Sequence, residues 1–123
     1  MPYQFKKGGI VTETGAKEIL LTLTKQNLIH LLKECISEHS NFRHQDFANW
    51  CSNHIGNMMW NDLEPEDIGI DKITYDVLLE VDTEWDLYLV DTYKHEELQK
   101  LDLSKVILPE RWFHQWLESL SKG

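Results

Sequence analysis

The stretch YDVLLEVDTEWDLYLVD, residues 75–91, decides the fold, because its apolar and acidic residues fit two different periods. From Ile73 the odd positions read Ile73, Tyr75, Val77, Leu79, Val81, Thr83, Trp85, Leu87 and Leu89, apolar with one exception. Asp76, Glu80, Asp82, Glu84 and Asp86 all fall on even positions. A period of two is that of a half-buried strand, and the β-branched and aromatic content favours extended backbone. The run is longer than ordinary strands, which centre on about six residues, so it reads as a hairpin turning near residues 82–84 or as a helix before Leu79 with a strand after it. A buried helix over the whole stretch is the competing reading. On the strand reading, alternation sets the carboxylates about 7 Å apart on one face, while Val77, Val81, Trp85 and Leu87 fix the other face to the core.

Outward from this stretch, three helices are expected. Thr24 is a candidate N-cap, and Leu28, Ile29, Leu31, Leu32, Cys35 and Ile36 follow it at helical spacing; residues 37–42 carry turn chemistry that ends the run. A second helix starts near His44, places Phe47, Trp50, Cys51, Ile55, Met58 and Met59 on or near one face, and stops before Asn61-Asp62. Near the C-terminus, Pro109 suits a first helical turn, with Trp112, Phe113, Trp116, Leu117 and Leu120 after it on one face. At the other end, Gly8-Gly9 and Thr14-Gly15 punctuate a β-branched stretch, so residues 1–23 read as a short hairpin or meander. The expected fold is α+β: a small antiparallel sheet, made of the N-terminal hairpin plus acidic strands near 73–91, packed against three helices in one domain over residues 1–123.

The chain's 123 residues suit one domain. Charge is unevenly distributed. Residues 62–91 hold eleven acids against one lysine, a net −10, while the whole chain carries −9. The acidity is therefore local, and it disfavours nucleic acid as a direct ligand. No apolar run approaches the ~18 residues of a membrane span, and MPYQFKKGG is not followed by the apolar core of a secretory signal, so a cytoplasmic location is expected. Two cysteines, Cys35 and Cys51, are too few for a disulfide scaffold and fit reduced, buried thiols.

Candidate chemistry is sparse. Cys35 with His39, and Cys51 with His54, form C-x3-H and C-x2-H pairs that could face each other as a zinc site, but both cysteines also belong to the apolar faces of their helices. His44 beside Asp46, and His95 beside Glu96-Glu97, are acid–imidazole neighbours without a nucleophile in a glycine elbow or a phosphate-cradling loop. DLEPEDIGID, residues 62–71, lacks the ligand pattern of a calcium loop. No catalytic residue, metal or cofactor is expected.

The five tryptophans are many for so short a chain, and Trp60 and Trp85 are the candidate interface aromatics. A short, acidic, tryptophan-rich chain of this kind resembles the bacterial immunity proteins that neutralise a cognate toxin, often a basic nuclease. The resemblance implies a one-to-one complex in the cytoplasm, with acidic and aromatic residues covering a cationic site. On the charge split itself, the expected interface is Asp76, Glu80, Asp82, Glu84 and Asp86 with Trp60 and Trp85, and the expected partner is a basic protein. The alternatives are a regulatory or assembly subunit that binds through an apolar patch, and a Cys/His metal-binding protein.

Overall fold

The structure is a computed structural model that describes residues 18–37, 40 and 42–122. The described residues form five α-helices and two short 3₁₀ turns: α1 (Lys25–Ile36), α2 (His44–Trp60), a turn at Pro65–Ile68, α3 (Lys72–Thr92), α4 (His95–Lys100), a turn at Leu103–Lys105, and α5 (Glu110–Ser121). No strand occurs among them, so the expected α+β class with an antiparallel sheet is wrong, and the acidic strands near 73–91 are one helix. Residues 1–17 of the expected N-terminal hairpin lie outside the described residues, and residues 18–24 run as irregular chain.

The helical outcome over 73–91 has a physical cause. The residues that α3 buries are Thr74, Val77, Leu78, Val81 and Trp85, spaced by three, one, three and four. Val77, Val81 and Trp85 are four apart, and a spacing of four satisfies both a helix and an alternating strand, so they carried the strand signal without deciding it. Leu78 decides it: it is 0% exposed beside a buried Val77, and adjacent strand residues point to opposite faces. A hairpin would also need turn residues, and no glycine, proline or asparagine lies between Lys72 and Thr92. Asp71 then fixes the start, accepting from the Thr74 backbone N–H at 2.8 Å and from Thr74 Oγ1 at 2.6 Å. Burial on this scale outweighs the few tenths of a kcal/mol by which each β-branched residue disfavours a helix.

Helices α1, α2 and α5 lie where the sequence places them, whereas α4 is not among the expected helices. Thr24 Oγ1 accepts from Asn27 N–H at 3.0 Å, and α1 buries Leu28, Leu31 and Leu32. At the start of α2 the buried Asp46 carboxylate accepts from Arg43 N–H at 2.8 Å. Helix α2 closes with Leu63 N–H bonding to Met58 O at 2.8 Å and Asp62 N–H to Met59 O at 3.3 Å, around Asp62 in the left-handed region at φ 55°. That is a Schellman closure with aspartate in the position glycine normally takes.

Helices α1, α2, α3 and α5 contact one another in that cyclic order, and α4 folds back on α3. Their buried faces make one apolar cluster. An aromatic series runs through it: Trp50 to Phe47 on α2, Phe113 and Trp116 on α5, then Trp112 to Tyr88 on α3, with ring centroids 5.4 to 6.4 Å apart. Two anchors fix the ends. Trp50 Nε1 donates to Leu21 O at 2.9 Å, holding residues 18–24 on α2, and Trp116 Nε1 donates to Glu80 Oε1 at 2.6 Å, tying α5 to α3.

Candidate functional site

The acidic residues leave the fold by different routes once α3 is a helix. Asp76, Glu80 and Glu84 follow one another at i, i+4 and i+8 on the flank toward α5, where Glu80 meets Trp116. Asp82 and Asp86 lie on the opposite flank, and Asp82 is near enough to Cys51 of α2 to raise its pKa. The single carboxylate row expected of a strand is thus two shorter rows on either side of an outward face. Asp76 pairs with Lys72 at 2.9 Å, whereas Glu84 and Asp86 have no side-chain partner among the described residues. Of the eleven acids between 62 and 91, nine are exposed and Asp82 and Glu84 are half-buried, so the negative charge is presented outward.

The tryptophans divide sharply. Trp50, Trp85 and Trp116 are buried and Trp112 is half-buried against Tyr88, while Trp60 is 89% exposed. Trp85, expected as an interface aromatic, is a core residue: it extends the Val77–Val81 line that faces α2 and α5. Trp60 ends α2 beside Met59, which is 74% exposed, and the acids Asp62, Glu64, Glu66 and Asp67 follow at once. The Schellman closure and the capped turn at Pro65–Ile68, ended by Gly69 at φ 78°, fix the path of this acidic corner.

Asp71 is the most strongly perturbed carboxylate. Hydrogen bonds from Thr74, with Lys25 Nζ at 3.1 Å, hold its pKa down at about 2. These bonds serve the start of α3, and a carboxylate already used as a cap is poorly placed for proton transfer.

Among the described residues, Cys35, Cys51 and His54 form no group able to hold a metal ion. Cys35 is half-buried and Cys51 fully buried, and burial raises both thiol pKa values, so both side chains remain protonated packing groups. His39 lies outside the described residues, and no group of three His, Cys, Asp or Glu able to hold a metal ion occurs among the described ones. His54 stacks edge-on against Trp50 at 4.8 Å, and burial lowers its pKa.

His44 has a structural task with no local signature in the chain. Its ring is 8% exposed, Nδ1 accepts from Leu108 N–H at 2.9 Å, and Nε2 lies 3.1 Å from Cys35 O. Because Nδ1 is an acceptor, the proton sits on Nε2 and is donated to Cys35 O. The imidazole therefore pins the end of α1 to the segment that leads into α5. It borders a pocket of about 400 Å³ lined also by Cys35, Ser40, Phe42 and Phe113, yet both of its nitrogens are committed and neither can serve a substrate there. His95 contacts Gln99 at 3.1 Å and His114 contacts Glu110 at 3.2 Å, both exposed neighbours on their own helices.

No family model, curated protein or solved structure matches the chain. No helix among the described residues is long and apolar enough to cross a membrane.

Proposed function

We propose that this chain is a non-catalytic protein-binding module that captures a basic protein in the cytoplasm, in the manner of proteins that neutralise a nuclease toxin. The observation that carries the reading is Trp60. Four tryptophans are used wholly or partly inside, and the fifth stands 89% exposed at the mouth of the most acidic segment. A rigid aromatic side chain of that exposure offers apolar contact area to a partner, and the acids around it favour a cationic one. The outward carboxylates of residues 62–91 would steer such a partner, with an effect that fades over the ~8 Å Debye length of physiological salt. Asp76, Glu80 and Asp86 supply exposed charge, and Asp82 and Glu84 half-buried carboxylates, on the helix that follows.

The test is a pull-down from the source cell's lysate at low and high salt, followed by titration of the retained basic protein against the chain and its Trp60→Ala variant. Salt-sensitive binding that weakens about tenfold or more in the variant is expected. Retention of no basic protein, or an affinity indifferent to salt, would refute the reading.

A further inference from the structure

Helix α3 exposes two large apolar residues, Leu87 and Val90, on the side away from the core, in line with the methyl-bearing Thr83. Thr83, Leu87 and Val90, at i, i+4 and i+7, are all exposed; Leu87 is 45% and Val90 59% open to solvent. The two acidic flanks border this line. Glu80, Glu84 and Asp91 run along one side, and Asp82 and Asp86 along the other. A helix that needed only one buried face would carry polar residues here. Instead a β-branched and leucine ridge lies between carboxylates, with neither α2 nor α5 covering it.

Resting on the protein-binding reading above, we propose that this ridge, residues 80–91, is the docking face for a cationic amphipathic helix of the partner. The apolar stripe of such a helix would lie along Thr83, Leu87 and Val90, and its flanking lysines or arginines would meet the carboxylates on both sides. Helix–helix pairing along a seam uses this arrangement, an apolar line flanked by charges that set the choice of partner. Charge complementarity selects the occupant. A second copy of the chain would bring two acidic flanks and a net charge of −9 against the same, so self-association along the ridge is opposed. A neutral apolar partner would leave the carboxylates on both flanks partly desolvated without counter-charges.

The full chain is titrated with a synthetic amphipathic lysine–leucine helix of about five turns, and with a scrambled peptide of the same composition that cannot form an apolar stripe. The patterned peptide is expected to bind, weaken at high salt, and shift the backbone amide resonances of residues 80–91. Leu87→Gln with Val90→Gln, at two exposed positions, should keep the circular dichroism spectrum and lose roughly tenfold in affinity. Equal affinity for both peptides, or an unaffected double variant with shifts centred on Trp60, would overturn the ridge as the site while leaving the proposed function standing. Salt-insensitive binding, or no binding of either peptide, would overturn the inference, and the lysate pull-down decides the proposed function separately. A wild-type dimer that the double variant converts to monomer would make the ridge a self-interface. Resonance changes confined to residues 1–17 on substitution would place the chain's own N-terminal segment there. Either of these last results also overturns the inference.

Discussion

Lowering the pH below about 6.5 should unlock His44, and the loss can be worked from its two hydrogen bonds. The imidazole is neutral because Nδ1 must accept from Leu108 N–H, and burial lowers its pKa below 6.5. A base whose folded pKa is depressed contributes stability that is complete above its unfolded pKa. That contribution is lost as the pH falls from there through the folded pKa, because the unfolded chain binds the extra proton first. In that window stability should fall by up to about 1.4 kcal/mol per pH unit from this residue. Once protonated, Nδ1–H faces Leu108 N–H, and a buried donor left without an acceptor costs about 1 to 3 kcal/mol. The assay is urea unfolding at several pH values between about 5 and 7.5, where most carboxylates stay ionised. His44→Asn, whose side-chain oxygen can still face Leu108 N–H, provides the reference. The variant should be less stable at neutral pH and show a flatter pH dependence, and the difference between the two curves isolates His44 from His54, which burial also shifts. Parallel curves over the whole window would refute the assignment of His44 as a locked neutral bridge.

Trp60→Ala should change unfolding stability by less than about 0.5 kcal/mol, because the side chain is almost wholly exposed, so any loss of partner affinity belongs to the interface. Asp71→Ala removes the cap of α3 and should cost about 1 kcal/mol in thermal or urea unfolding; the wild-type contribution is complete above the ordinary carboxylate pKa and disappears as the pH falls toward 2. Asp62→Gly relieves a non-glycine residue at φ 55° and should raise stability by about 0.5 kcal/mol, read as an increased unfolding midpoint. Raising the salt concentration should stabilise the free protein by up to about 1 kcal/mol, since three like-charged i, i+4 pairs on α3 (Asp76–Glu80, Glu80–Glu84 and Asp82–Asp86) are screened. A thermal midpoint that falls with added sodium chloride would contradict that last expectation.

Helices α1, α2 and α5 were legible because their apolar positions fit only one period: Leu28, Leu31 and Leu32, for example, cannot line one face of a strand. Over residues 73–91 the acids occupied alternate positions, and the buried Val77, Val81 and Trp85 satisfied two periods at once. The informative residues were Leu78, apolar at an even position, and the missing turn chemistry near 82–84. The candidate site was legible as composition and not as geometry. The charge split and Trp60 are read straight from the chain, but the division of the carboxylates into two flanks needs the helix. The His44–Leu108 bond joins residues 64 apart and has no local signature, so a histidine that the sequence suggests as a neighbour of Asp46 is in fact a tertiary bridge. Trp85 illustrates the same limit. The alternating pattern sets it on the core-facing side while its acidic neighbours suggest an interface, and its burial among the core residues decides for the first.

The acids that make α3 a credible binding helix are also what the isolated protein tolerates least well. Like charges one helical turn apart oppose the helix, and among the described residues only Asp76, paired with Lys72, and Glu80, bonded to Trp116, have side-chain partners along it. The core compensates: Val77, Leu78, Val81 and Trp85 hold α3 between α2 and α5 regardless of what its outer flanks carry. That separation of tasks leaves the outward face, apart from the Glu80–Trp116 bond, free of a role in folding. Salt then acts in opposite directions, steadying the free chain by screening the flanks and weakening a complex that depends on the same charges. Two opposite salt responses arising from one set of carboxylates distinguish an interface held ready from a merely solvated helix, which would display the first response without the second.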